Sequence, residues 1–185
     1  VRRYIVIMAL TSTILFGCAS TPQPDTTPVN NPNDRTVEGI SSDTELETRI
    51  ERLLAEASPA FDNLESSAHV NQGNVLLVGR IGDPQAIELA NDLVLPLPGV
   101  ESLHNHLIVG EKLTSTIKAN DTWLRVRIHA AMFNADDFPS RKVEVIVENG
   151  VVYLMGSLTE DEGRQAAQLA AGVEGVQKVV TLFAI

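Results

Sequence analysis

The sequence predicts an α+β protein that uses one module twice, each copy ordered αββαβ with two helices packed on a small mixed three-stranded sheet. Three observations carry this. Asp43-Thr-Glu-Leu-Glu-Thr-Arg-Ile50 and Asp121-Thr-Trp-Leu-Arg-Val-Arg-Ile128 share Asp, Thr, Leu, Arg and Ile in register. Gly73-Asn-Val-Leu-Leu-Val-Gly79 matches Gly150-Val-Val-Tyr-Leu-Met-Gly156, and Pro98-Gly-Val100 matches Glu174-Gly-Val176. The offset slips only from 78 to 76 across these matches, so a module of about 65 residues recurs as an internal repeat.

Asp43 and Asp121 are N-cap candidates for a first helix in each copy, since a short side-chain oxygen can accept from first-turn amides. Leu46, Ile50 and Leu53, and Leu124, Ile128 and Ala131, then recur at helical spacing. An alternating strand follows, clearest at Val143-Glu-Val-Ile-Val147, and Asn149-Gly150 signals a hairpin into a second strand from Val151 to Met155. Thr159-Glu-Asp-Glu162 has the spacing of a capping box that opens a second helix to about Ala171. In copy one, Asp83-Pro84 places Pro at the first helical position. A last strand closes each copy, near Ser102 to Val109 and Gln177 to Ile185. Helices on one face of a small mixed sheet bury these apolar stripes.

Residues ahead of the repeat are of another kind. Arg2 and Arg3 precede the apolar run Tyr4–Phe16, which ends at Gly17-Cys18. This reads as a bacterial export signal over residues 1–17. As a helix, thirteen such residues would rise about 20 Å, short of the roughly 30 Å of a bilayer's hydrocarbon core. A small residue directly before the only cysteine resembles a lipobox, so Cys18 is expected to carry fatty-acyl chains such as palmitate. Acylation would block the only thiol and remove redox, nucleophilic and metal-binding roles for cysteine together. Ala19-Ser20, in place of Asp after the cysteine, points to the outer membrane, with the chain on its periplasmic face. Four prolines between Pro22 and Pro32, among Ser, Thr, Asn and Asp, cannot offset ordering entropy by burial. Residues 18–42 are therefore expected to be a tether with a reach of about 25 Å, ahead of domains at 43–110 and 119–185.

Composition narrows the function. The 185 residues hold 14 Lys and Arg against 24 Asp and Glu, a net charge of −10, which disfavours a general nucleic-acid binder. One cysteine and 44% apolar residues exclude a disulfide scaffold, a collagen and a wholly disordered chain. No Gly-x-Ser-x-Gly, phosphate loop or His-Glu-x-x-His occurs, and the acids spread along solvated faces, so neither an enzyme nor a cofactor is expected. His104-Asn105-His106 puts two imidazoles on one strand face, but nothing nearby completes the four ligands that structural zinc normally takes.

Asn/Gln-Gly-x-Val-x-Leu-x-Gly followed by Gly-Val-x-x-Val resembles the BON domain (bacterial OsmY and nodulation domain), most closely at Asp121-Thr-Trp123 and from Glu148-Asn-Gly150 to Leu154-Met-Gly156. With the signal, lipobox and Pro-rich tether, the chain resembles dual-BON outer-membrane lipoproteins over nearly its whole length. The resemblance implies a non-enzymatic envelope protein that binds anionic phospholipid through its second domain, is recruited to division sites and supports outer-membrane integrity. Its other implied partners are outer-membrane assembly or cell-division envelope proteins.

The residues themselves hold one asymmetry. At 100° per residue, the first helix of copy two carries a core stripe and a second apolar cluster of Trp123, Val126, Ala130 and Phe133. The matching positions of copy one are Glu45, Thr48, Arg52 and Ala55, a solvated face. The repeat is its own control: the core stripe is shared and the second stripe is not. That stripe has three possible uses: packing on copy one, docking on another protein, or entering a membrane interface. Arg125, Arg127 and His129 beside it suit an anionic headgroup layer. Residues 43–113 hold four bases against twelve acids, a net charge of −8, and residues 119–185 hold six against nine, a net of −3. Copy one is therefore expected to be repelled by anionic lipid, and copy two to bind only through a local, salt-sensitive patch.

Overall fold

A computed structural model describes residues 37–61 and 66–184. The segment read as an export signal, Cys18 and the Pro-rich stretch lie outside these residues. The order is α1 Val37–Ala57, β1 Ser66–Asn71, β2 Asn74–Ile81, α2 Gln85–Val94, β3 Ser102–Val109, α3 Ser115–Phe133, β4 Val143–Glu148, β5 Val151–Ser157, α4 Glu160–Ala171 and β6 Lys178–Ala184, with a short 3₁₀ turn at Ser140–Lys142 before β4. This is αββαβ twice.

Each sheet has three strands, β1-β2-β3 and β4-β5-β6, with an antiparallel hairpin and then a parallel crossover strand. The hairpin turns have both central residues at positive φ, Gln72-Gly73 in one copy and Asn149-Gly150 in the other, the geometry that matches strand twist. Thr159 and Glu162 form the expected capping box at the start of α4.

Because side chains alternate across a strand, β2 and β5 bury both faces. Val75, Leu77 and Ile81 join Leu46, Ile50, Leu54, Ala86, Ala90 and Val94 in one helix–sheet core, and Val152 and Leu154 join Leu124, Ile128, Met132, Ala166 and Ala170 in the other. The opposite faces meet each other: Leu76 and Val78 of β2 pack with Ile146, Tyr153 and Met155 of β4 and β5. His106 on β3 stands edge-on to Tyr153 at 5.0 Å between ring centroids, and Asn71 Nδ2 donates to Glu144 Oε2 at 3.1 Å across the seam. The two copies thus stack helix layer, sheet, sheet, helix layer.

Three sequence expectations change. Asp43 and Asp121 are not N-caps: α1 already begins at Val37, so residues 37–42 are helical rather than tether, and α3 begins at Ser115 behind an N-cap at Thr114. Both aspartates are buried, and each carboxylate accepts from a hairpin turn instead. Asp121 takes Asn149 N at 2.7 Å and Gly150 N at 2.8 Å; Asp43 takes Gln72 N at 2.9 Å and Gly73 N at 3.4 Å. The core stripe also runs one residue further round than Leu53 and Ala131, both only partly buried; Leu54 and Met132 occupy the core.

Candidate functional site

Helix α3 is apolar on two sides because it has two surroundings. Leu124, Ile128 and Met132 face the sheet and are fully buried. Trp123, Val126 and Phe133 face away from it and are 49%, 61% and 75% exposed; Ala130 beside them is exposed too. The matching residues of α1, Glu45, Thr48, Arg52 and Ala55, are exposed as well, but among them only Ala55 is apolar. The copies join through their sheets, so packing on copy one does not account for the stripe.

The cations named from sequence divide into two places. Arg127 stays on the stripe, its guanidinium 4.5 Å from the centre of the Trp123 ring, a cation–π arrangement that leaves one end of the pair apolar and the other charged. Arg125 and His129 turn the other way, into a groove along the seam between the copies. Its far wall is Ser66, Ser67 and His69 of β1, and Arg141, Lys142 and Glu144 lie on the β4 side. A shallow depression lined by His129, Ala130, Phe133, Ser140, Arg141 and Val143 connects this groove with the stripe.

Sequence reasoning missed Arg141 and Lys142. They sit in the irregular stretch between α3 and β4, where no periodicity assigns a face, and only the fold brings them beside α3. Two other histidines have structural roles: His106 packs on Tyr153, and His69 shares a hydrogen bond with Ser67 Oγ at 3.2 Å. Burial lowers the pKa of His129, with Arg125 adding to the effect. Burial likewise lowers His69, against the opposing pull of Glu144 and Glu51. No group of three or more His, Cys, Asp or Glu that could hold a metal is found among the described residues, and none of the described helices is long and apolar enough to cross a membrane.

The model of the BON domain matches residues 42–111 and 120–185. Outer membrane lipoprotein DolP of Haemophilus influenzae is 29% identical over 141 residues, covering 76% of this chain and 73% of that protein. The 21 kDa hemolysin of Actinobacillus pleuropneumoniae is 30% identical over 138 residues, covering 75% and 71%. Osmotically-inducible protein Y of Escherichia coli is 31% identical over 124 residues, covering 64% and 62%. Among solved structures, the C-terminal domain of CdsD, a structural protein of the type III secretion system of Chlamydia trachomatis, aligns at 18% identity with a TM-score of 0.30, over 76% of this chain and 65% of that one; a likeness that slight carries no structural argument. The two family matches fall on the two halves of the repeat, and on that ground this chain belongs to the BON-domain family, with one domain in each half.

Proposed function

We propose that this chain is a non-enzymatic envelope lipoprotein that binds anionic phospholipid surfaces through α3 of its second domain, anchored by acyl chains on Cys18 to the periplasmic face of the outer membrane. The observation that carries the reading is the exposed stripe of Trp123, Val126 and Phe133 on α3, absent from the equivalent helix of the first domain. Apolar side chains of this size gain about 1.5 to 3 kcal/mol each on full burial, and an aromatic–cation pair such as Trp123 with Arg127 suits an interface that is apolar below and charged above. The gain over a partly buried stripe is modest, and an acyl anchor would make it effective by raising local concentration. The similarity to an outer membrane lipoprotein supports the location.

Trp123 is the only tryptophan of the chain, so its emission reports the site whatever the amino-terminal segment does. With vesicles of phosphatidylcholine and phosphatidylglycerol, its emission should move to the blue and be quenched by brominated acyl chains, less so as salt rises. Phe133→Glu or Val126→Glu should remove the shift without changing the melting temperature. Unshifted wild-type emission overturns the reading and leaves the stripe to a protein partner.

A further inference from the structure

We propose that the seam groove beside α3 holds the phosphodiester headgroup of a phospholipid in the leaflet that the stripe enters, so that the first domain forms one wall of the lipid site. This rests on the reading of α3 as the membrane face and adds to it a headgroup site and a task for the domain that carries no stripe. Thr122, Arg125 and His129 are spaced three and four apart along α3 and therefore share one side of it, the side that lines the groove. Opposite them stand the hydroxyls of Ser66 and Ser67.

The charges in the groove are not evenly matched. Asp121 is committed to two turn amides, Glu144 accepts from Asn71, and Glu148 also has a polar partner. Arg125 and Arg141 have no carboxylate within ion-pair distance among the described residues. A guanidinium offers a planar fork of donors that fits phosphate oxygens two at a time. The repeat again serves as a control. Glu47 occupies the position of Arg125 in the first domain, and its carboxylate accepts from Val70 N of the edge strand at 2.8 Å. An arginine has no acceptor to offer an edge amide; at this position the second domain has exchanged a strand staple for a cation facing the seam. The depression through His129, Phe133 and Arg141 makes groove and stripe continuous, as a headgroup and its own acyl region require.

The test uses the full chain and the emission of Trp123 with vesicles carrying rising fractions of phosphatidylglycerol. Arg141→Glu alters an exposed side chain of the second domain, and Ser66→Glu puts a carboxylate on the wall from the first. Arg141→Glu, a change of two charge units, should weaken the apparent affinity about thirtyfold, and Ser66→Glu, a change of one, about fivefold, at about 1 kcal/mol per charge beside an anionic surface. Arg164→Glu, the same charge change as Arg141→Glu but on α4 away from the groove, should cost about twofold or less. Equal replacement of phosphatidylglycerol by oleate, a carboxylate amphiphile, should be a poorer partner for the wild type and insensitive to Ser66→Glu. Wild-type affinity in both groove variants overturns the headgroup site while the α3 reading stands, as does an equal loss in Arg164→Glu. An unresponsive wild-type Trp123 is a different result, because it overturns the α3 reading itself.

Discussion

Asp121 is the seventh residue of its helix, too far in to accept from a first-turn amide, and its carboxylate turns to the backbone of the hairpin it packs against. The two bonds it accepts satisfy amides that the left-handed turn conformation withdraws from the sheet ladder. Asp121→Ala should cost about 3 kcal/mol in urea denaturation, since two buried donors lose a charged acceptor, and Asp121→Asn should cost less because one amide keeps an oxygen. The sequence displays this aspartate clearly, at the head of the repeat; what it hides is the partner, which lies 28 residues on. Gly156 is a second such residue. At φ 144° a Cβ there would overlap the carbonyl oxygen of Lys142, the last residue of the 3₁₀ turn that leads into β4, so Gly156→Ala should destabilise the second domain by about 3 kcal/mol or more. The loss should appear as a lower melting temperature.

At the scale of elements, the legible parts were those fixed by local chemistry. The hairpin turns, the capping box at Thr159 and the alternating strands follow from short-range rules, and all are found where the pattern puts them. The beginnings of α1 and α3 were not legible, because the isoleucine in each first turn stays out of the core, Ile40 exposed and Ile117 only partly buried, and extends no core-facing period to read. Whether the second stripe of α3 was core or surface could not be read from periodicity either; it depended on where the other domain sits. The two stripes now give opposite expectations. Leu124→Asp places an unpaired charge in a sealed core and should unfold the second domain. Val126→Asp changes an exposed position and should move stability by no more than about 0.5 kcal/mol. Equal melting temperatures for the two variants would mean the helix is turned the other way.

The whole molecule depends on the sheet-to-sheet seam, which is a tertiary fact: Leu76 and Val78 belong to a continuous apolar run in the sequence, and such a run says that both faces are covered but not by what. Two histidines on strands at this seam, His69 and His106, have pKa values lowered chiefly by burial. Glu144 and Glu51 oppose that at His69 while Arg125 adds to it; His104 and Lys178 add to it at His106. A histidine held below its unfolded value of about 6.5 favours the fold while neutral. That contribution is complete above the unfolded value and is lost as pH falls through the folded one. The urea midpoint should therefore fall between pH 7.5 and pH 5.5, and His69→Gln with His106→Gln should flatten the slope. A midpoint that rises on acidification would mean that the Glu144 pairing dominates.

The stacking order also settles a difficulty in the charge pattern. The first domain has the greater negative charge, and beside an anionic bilayer that would oppose binding. Yet its helices form the outer layer of the stack furthest from α3, beyond two sheets that lie about 10 Å apart and a helix layer about 10 Å thick. At physiological ionic strength electrostatic influence decays over about 8 Å, so acids on the far side of that layer are screened from a surface met by α3, whereas Glu51 of α1, which acts on His69 at the seam groove, is not. The sandwich is a partial insulator: it screens the charge of its outer helix face from the lipid and presents that charge to whatever approaches from the opposite side, while the part of the first domain that the lipid meets is the β1 edge with its serine hydroxyls.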